Sequence, residues 1–225
     1  MLNLDITKCN VAIDKLLEVT TNRRHRFILM SYARHRHLEF SGNYEAVLSD
    51  EMMADHPVYT IRALGVDMMI DGKDEVRTMY RNWAETNQCV FYIEDEQVAV
   101  ADNFVASSLI SYQQVWGGTL LGTKVLGILP KGLSRELFLD MLEFKGLTAD
   151  KNHMYLYKSR EQWFWPYDER GRLMREDVLE PDRTTSDVIK LAPEDVLTAA
   201  RANELLGPLI KPLPSFDDYV LGQTA

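Results

Sequence analysis

The stretch from His35 to Tyr59 concentrates residues that could carry acid/base or metal chemistry. His35 and His37 form a His-x-His pair, which brings two metal ligands together on a strand but separates them by about 200° on a helix. The surrounding pattern predicts a helix, so we expect no metal at this pair. His35 instead shares one helical face with Tyr32 and Glu39, which lie three and four positions away.

Two roles are open for His35. In the functional role it is an acid/base histidine that titrates near neutral pH, with its tautomer held by Glu39. In the structural role it belongs to a hydrogen-bonded network that satisfies buried polar groups under a sheet. His37, together with Arg34 and Arg36, is predicted to lie on a solvated helix face.

Two further polar residues stand in predicted strands. Tyr59 either fills the core, as tyrosine often does in strands, or donates a hydrogen bond to a departing hydroxyl. It could also act as a base if its pKa is depressed. Asp102 stands beside Asn103 in the centre of the apolar segment VAVADNFVASS. A buried carboxylate there must be paired or protonated, so it marks either a satisfied structural bulge or a pocket acid.

Aromatic residues alternate along the segment YLYKSREQWFWPY. Tyr155, Tyr157, Trp163 and Trp165 share one strand parity, a pattern typical of a core stripe. In a cone-shaped sheet, the side that faces the core is also the wall of the pocket. The stripe therefore predicts a large apolar cavity suited to aromatic or polycyclic ligands.

These residues require a scaffold of helices followed by strands. Spacing and caps predict helices over 14–18, 23–40, 44–53, 74–85 and 134–144, and a terminal helix within PEDVLTAARANELLGPLI. Strands are predicted over 57–63, 66–70, 89–93, 97–115, 154–165 and 172–180. This order indicates an α+β fold, in which a curved antiparallel sheet wrapped by about three helices forms a cone with one open mouth.

Composition argues against several classes of function. The chain has 225 residues and a net charge of −9, without a basic patch for nucleic acid. Cys9 and Cys89 form neither a disulfide framework nor a zinc pattern. We expect no signal peptide and no membrane partner, hence a cytoplasmic protein. Dinucleotide, P-loop and G-x-S-x-G motifs are missing from the sequence, so we expect no cofactor.

Five segments carry a resemblance to a known group. They are SGNY at the end of the long helix, EAVLSDEM, HPVYTIR, DGKDEVRTMYRNWAE and WPYDERGRLMREDVLE. Together they resemble the nuclear transport factor 2-like superfamily in its SnoaL-like branch. The resemblance implies an N-terminal arm or short helix over 1–21 and a SnoaL-like cone domain over 22–181, with an insertion at about 117–152. A C-terminal helical extension follows over 182–225, and a homo-oligomer, with a dimer favoured, is implied.

The resemblance also implies roles for individual positions. In ketosteroid isomerases of this superfamily, a tyrosine that donates to the oxyanion matches His35, and the aspartate general base matches Tyr59. In scytalone dehydratases, a tyrosine that helps to activate water also matches Tyr59, and a tyrosine–aspartate pair matches Glu39 and Phe40. The second oxyanion donor of the isomerases matches Trp163.

Glu176 lies in the alternating run LMREDVLE, on the side that the resemblance turns toward the cavity. Our candidate catalytic residues are Tyr59, His35, Glu39 and Glu176. Our candidate substrate-binding residues are Tyr32, His56, Asp102, Tyr155 and Trp163.

The predicted function is a cofactor-independent acid/base lyase for a hydrophobic, phenolic substrate derived from lignin. The chain resembles diarylpropane γ-formaldehyde lyases, which implies elimination of formaldehyde from a diol to give a stilbene. The alternatives are a dehydratase, isomerase or cyclase of a polycyclic or steroid-like substrate, and a non-catalytic module for ligand binding or assembly.

Overall fold

The computed structural model describes residues 4–64, 66–121 and 134–222. The helices are α1 (Val11–Val19), α2 (Arg23–Phe40), α3 (Tyr44–Val47), α4 (Lys73–Glu85), α5 (Gly117–Leu121), α6 (Ser134–Phe144) and α7 (Ala199–Leu206). The strands are β1 (Met53–Arg62), β2 (Met68–Asp71), β3 (Phe91–Ala101), β4 (Phe104–Trp116), β5 (Met154–Pro166), β6 (Leu173–Leu179) and β7 (Asp187–Lys190). Over these ranges, no helix has the length and apolar character needed to cross a membrane.

The strands form one curved, open sheet, which confirms the predicted α+β fold. Their order is β2-β1-β6-β5-β4-β3, and β7 adds to β5. The pair β4–β5 is the longest ladder and runs antiparallel from Phe104–Pro166 to Trp116–Met154. The pair β1–β6 is parallel, which differs from the all-antiparallel sheet that we predicted. Parallel pairing is possible because the chain crosses over between these two strands instead of turning directly.

Helix α2 confirms the helix predicted over 23–40 and lies against the sheet. It begins where the side chain of Asn22 accepts a hydrogen bond from the backbone amide of His25. Its last residue is Phe40, and Gly42 stops the helix from continuing. The φ of +75° at Gly42 favours glycine and lets the amide of Asn43 donate to the carbonyl of Leu38. These two signals fix where α2 begins and ends.

The segment predicted as one strand over 97–115 is two strands joined by a turn. Ala101 pairs with Phe104, and Asp102 and Asn103 form the two-residue connection between β3 and β4. Two-residue connections are the commonest in hairpins, and Asp and Asn are common in turns. The apolar residues on both sides concealed this turn, so the prediction that Asp102 lies inside a strand is wrong.

The predicted solvated face of α2 is also wrong. Arg36 is completely buried, its guanidinium donates 2.8 and 3.0 Å hydrogen bonds to both carboxylate oxygens of Glu96, and it lies over the ring of Trp163. His37 is 9% exposed, and its Nε2 atom lies 3.0 Å from the side-chain nitrogen of Asn10. Helices α1 and α7 pack over this face of α2 and remove it from solvent.

We expect Glu96→Gln to lower the free energy of unfolding by about 3–5 kcal/mol, because it leaves the buried charge of Arg36 uncompensated. Urea denaturation followed by tryptophan fluorescence measures this change. Glu94→Gln is the matched control, since Glu94 is an exposed residue of the same strand. Equal midpoints for the two variants would show that the Arg36–Glu96 pair does not matter for stability.

The two predicted additions to the cone differ in how they are built. The insertion at 117–152 contains α5 and α6, and its residues 122–133 lie outside the described residues. The extension after 181 was predicted to be helical, yet it contributes strand β7 to the sheet before α7 packs on α2. Short, partly polar strands such as DVIK give little period-2 signal, which explains why β7 was missed.

Candidate active site

A cavity lies between the sheet and helices α2 and α4. Most of its wall is apolar, with the rings of Trp83, Phe91 and Trp163 and the side chains of Met68 and Met79 among its lining. The polar groups in the wall are Glu39, Gln88, Gln113, Glu161 and Glu176. Three carboxyl groups in an apolar wall are costly to bury and mark the cavity as a candidate site.

A chain of polar groups stands behind one end of the cavity. The hydroxyl oxygens of Tyr59 and Tyr80 are 3.0 Å apart, and the Tyr80 hydroxyl is 3.0 Å from Nε2 of His35. That nitrogen is in turn 3.5 Å from a carboxylate oxygen of Glu39. Each member is buried, and Glu39 is the one that lines the cavity. The chain therefore connects Tyr59 to the cavity through Glu39.

The parallel pair β1–β6 places an acid beside this chain. Tyr59 and Glu176 are register partners, and both side chains are buried. Alternation along each strand turns their neighbours Val58 and Asp177 toward the other face of the sheet. The two-residue period thus brings Glu176 into the cavity next to the groups on α2.

Glu176 has an unusual environment for a carboxyl group. It is 7% exposed, and its Oε2 atom has no hydrogen-bond partner among the residues that the structure describes. Burial, and next the charge of Glu39, raise the pKa of Glu176 well above its ordinary value. Two carboxyl groups this close in an apolar cavity favour one shared negative charge, so Glu176 is the protonated member.

The tyrosines of the chain are hydrogen-bond donors. Burial is the largest cause that raises the pKa of Tyr59 well above its ordinary value. Burial, followed by the charge of Glu39, does the same to the pKa of Tyr80. The suggestion that Tyr59 acts as a base through a depressed pKa is therefore wrong, and its hydroxyl keeps its proton.

A metal ion could find ligands here, although not at the His-x-His pair. One ligand atom each from His35, Glu39 and Glu176 lies within 4.8 Å of the others. His37 turns to the other side of α2 toward Asn10, as the helical spacing predicts. The group of three became visible only when the fold brought β6 beside α2.

We expect dialysis against EDTA to leave both activity and melting temperature unchanged. Nε2 of His35 already lies 3.0 Å from the Tyr80 hydroxyl, so one of the three candidate ligand atoms has a protein partner. Elemental analysis of the purified protein, with activity before and after dialysis, measures this. A stoichiometric metal whose removal abolishes activity would contradict the prediction.

Neither a protein-family model nor a curated protein matches the chain. Solved structures similar to it include SalBIII, an epoxide hydrolase/cyclase-like enzyme of salinomycin pyran ring formation, at 11% identity and a TM-score of 0.44 over 72% of this chain and 93% of that one. A SnoaL-like polyketide cyclase from a Jannaschia species is 9% identical, with a TM-score of 0.45 over 71% and 89%. A Mycobacterium tuberculosis protein in complex with estradiol-17β-hemisuccinate is 12% identical, with a TM-score of 0.41 over 68% and 92%. Likeness at this level does not identify a reaction.

The architecture agrees with the predicted fold class. A long helix covers a curved, open sheet, a second helix completes the wall, and a cavity remains between them. The chain therefore has an α+β fold in which helices cover one curved sheet.

Among the predicted binding residues, Trp163 lines the cavity. Its indole Nε1 donates a 2.7 Å hydrogen bond to Glu161. Tyr32 is buried behind the wall, where its hydroxyl lies 3.1 Å from that of Ser107 and its ring packs edge-on against Trp165. Tyr32 therefore supports the wall without lining it.

The other three predicted binding residues lie away from the cavity. The His56 side chain is 71% exposed and pairs with Asp71, and that of Asp102 is 79% exposed and pairs with His25. Tyr155 belongs to a separate apolar cluster at the start of β5. A role in substrate binding is not supported for these three. For Tyr155, strand parity fixed the side of β5 but not the position along the strand.

Two cavity-side residues were missed by sequence reasoning. Tyr80 lies on α4 in the segment DGKDEVRTMYRNWAE, and its helical spacing alone gave no reason to single it out. Glu161 has the same parity as Trp163 on β5 and could have been found by that alternation. A charged residue inside an aromatic stripe was the overlooked signal.

Proposed function

We propose that the protein is a cofactor-independent lyase that eliminates formaldehyde from a phenolic diarylpropane diol and forms a stilbene. One observation carries this proposal: the neutral acid Glu176 has an unpartnered oxygen and lies within 4.8 Å of Glu39 and His35. An acid and a base in one apolar site suit an elimination, in which one group accepts a proton while another assists the leaving group.

Glu39 acts as the base in this proposal, because it lines the cavity and lies beside Glu176, the carboxyl group whose pKa is raised. It accepts the proton of the substrate's γ-hydroxyl. The freed oxygen electron pair forms the carbonyl of formaldehyde, and the Cβ–Cγ bond breaks. The electrons of that bond form the Cα–Cβ double bond of the stilbene. His35 is oriented by its hydrogen bond with Tyr80, and it stabilises the carboxylate of Glu39 before Glu39 accepts the proton.

Glu176 acts as the acid. The Cα–O bond of the benzylic hydroxyl breaks with its electron pair, and the departing oxygen takes the proton of Glu176 to leave as water. The sum is one diol converted into one stilbene, one formaldehyde and one water. No oxidant or reductant is required, which agrees with a cofactor-independent reaction.

The apolar wall supports an aromatic substrate. Trp83, Phe91 and Trp163 offer ring faces and edges, and the side chains of Met68 and Met79 adapt to flat ligands. An apolar wall excludes water. Charge that develops on the substrate during the reaction therefore interacts strongly with Glu39 and Glu176.

Incubation of the purified protein with a phenolic diarylpropane diol tests the proposal. We expect equimolar formaldehyde and stilbene, measured by a colorimetric assay and by ultraviolet absorbance. The matched control substrate lacks the γ-hydroxyl and should release neither product. Loss of water from that control would indicate a dehydratase. If every diol stereoisomer yields no stilbene, the proposed function is wrong.

Tyr59→Phe should lower kcat about tenfold and leave KM within twofold, because one buried hydrogen bond to Tyr80 is lost. Tyr59 acts through Tyr80 and His35, so we regard it as a positioning residue. Tyr112→Phe is the control, since it removes a hydroxyl that bonds to Glu94 and does not line the cavity. An unchanged kcat in Tyr59→Phe would show that Tyr59 does not contribute to the reaction.

A further inference from the structure

Glu161 forms a second polar position in the same cavity, separated from the acid/base pair. It lines the cavity, is 6% exposed, and receives hydrogen bonds from Ser159 at 2.6 Å and from Trp163 at 2.7 Å. These two donors occupy one site on each carboxylate oxygen. A carboxylate offers about four acceptor sites, so Glu161 retains capacity for a ligand.

The strand register separates Glu161 from Glu176. Trp163 and Val178 are partners in the antiparallel pair β5–β6. Glu161 lies two residues before Trp163 on β5. Glu176 lies two residues before Val178 on β6, which places it opposite Trp165 because the strands are antiparallel. Four residues along a strand correspond to about 13 Å. Because Trp163 and Val178 both line the cavity, the space between the two acids is apolar.

This arrangement defines the shape of the ligand. The cavity volume is about 50 Å³, so a ligand that reaches both acids must also displace wall side chains such as Met68 and Met79. Such a ligand meets acid/base groups at one end, an apolar stretch beside Trp163, and a hydrogen-bond acceptor at the other end. Burial raises the pKa of Glu161 to about 7, which shows how poorly water reaches this carboxyl group. A ligand hydroxyl is a group that fits the free acceptor sites of Glu161.

We propose that Glu161 is a specificity-determining residue that accepts a hydrogen bond from a phenolic hydroxyl at the far end of an aromatic ligand. The inference rests on the proposed function for what happens at the Glu39–Glu176 end. It predicts selection for a free phenol over its methyl ether, which has no proton to donate. A buried acceptor left without a partner penalises the ether.

Glu180, the neighbouring acid, does not serve this purpose. Its carboxylate accepts hydrogen bonds from the Tyr157 hydroxyl at 2.7 Å and the Leu64 amide at 3.0 Å, and it also bonds to Ser186. Glu180 is absent from the described lining of the cavity. Its bonds hold the chain at Leu64, a residue with a φ of +56°. Glu161 is therefore the acid available to a ligand.

Fluorescence titration with para-hydroxystilbene and para-methoxystilbene tests the inference without turnover. The native protein should bind the phenol at least tenfold more tightly than the ether. In Glu161→Gln, whose amide is a weaker acceptor, the ratio should fall to about threefold or less. Glu94→Gln, which alters an exposed carboxylate of β3, should keep the native ratio.

Equal affinities for the two stilbenes in the native protein would overturn the inference, whatever the variant does. An unchanged ratio in folded Glu161→Gln, or no saturable binding of the phenol, would overturn it as well. Formaldehyde release is measured separately. If the phenol is selected but no diol is converted, the proposed reaction fails while the role of Glu161 stands.

Discussion

Glu176→Gln is expected to lower kcat for formaldehyde release by about 10²–10⁴-fold, because glutamine keeps the size of the side chain but cannot protonate the departing hydroxyl. KM should change little, since the wall that binds the rings stays intact. Steady-state kinetics with the phenolic diol measure both constants. Asp177→Asn is the matched control, because Asp177 is the next residue on β6 and lines an outer groove of the sheet.

The pH dependence of kcat also tests whether Glu176 is the acid, and the direction of the expected change is defined. Glu176 works in its protonated form, and its pKa is raised above the ordinary 4.5. The descending limb of the pH profile should follow Glu176, so that turnover falls as the pH rises through its raised pKa. This descending limb should disappear in Glu176→Gln. If the Glu176→Gln variant kept the native kcat and the native descending limb, Glu176 would take no part in the reaction.

Glu39→Gln is the second substitution with a large expected effect, again about 10²–10⁴-fold on kcat, because no group would then accept the γ-hydroxyl proton. It also has a distinct electrostatic signature. The charge of Glu39 raises the pKa of Glu176, so its removal should lower that pKa and shift the residual descending limb to lower pH.

Glu85→Gln provides the control for this variant, since Glu85 is an exposed glutamate at the end of α4. It should retain native kcat and a native pH profile. A Glu39→Gln protein with reduced kcat but an unshifted limb would show that Glu39 and Glu176 are not coupled, and the assignment of acid and base would fall.

Local periodicity was sufficient for the part of the site that lies on single elements. Helical spacing placed His35 and Glu39 on one face of α2, and strand alternation placed Trp163 on the core-facing side of β5. For Glu176, alternation gave only the parity, and the resemblance to the SnoaL-like group implied that this side faces the cavity. The SGNY turn also fixed the end of α2, because Gly42 adopts a positive φ.

Long-range packing decided what periodicity could not. Arg36 and His37 appeared to face solvent because nothing in their own helix shows that α1 and α7 cover them. Tyr80 joined the site because α4 packs against α2 and β1, which brings its hydroxyl to both His35 and Tyr59. Asp102 was misplaced because a two-residue turn resembles a polar interruption within one long strand.

The closeness of Glu39 and Glu176 has a consequence for the proton inventory of the proposed cycle. Each turnover moves one proton onto Glu39 and takes one from Glu176, which leaves both in the wrong state for the next substrate. Their ligand atoms lie within 4.8 Å, beside His35. The proton can therefore return across the empty cavity after product release, and the site resets itself without a proton from bulk solvent.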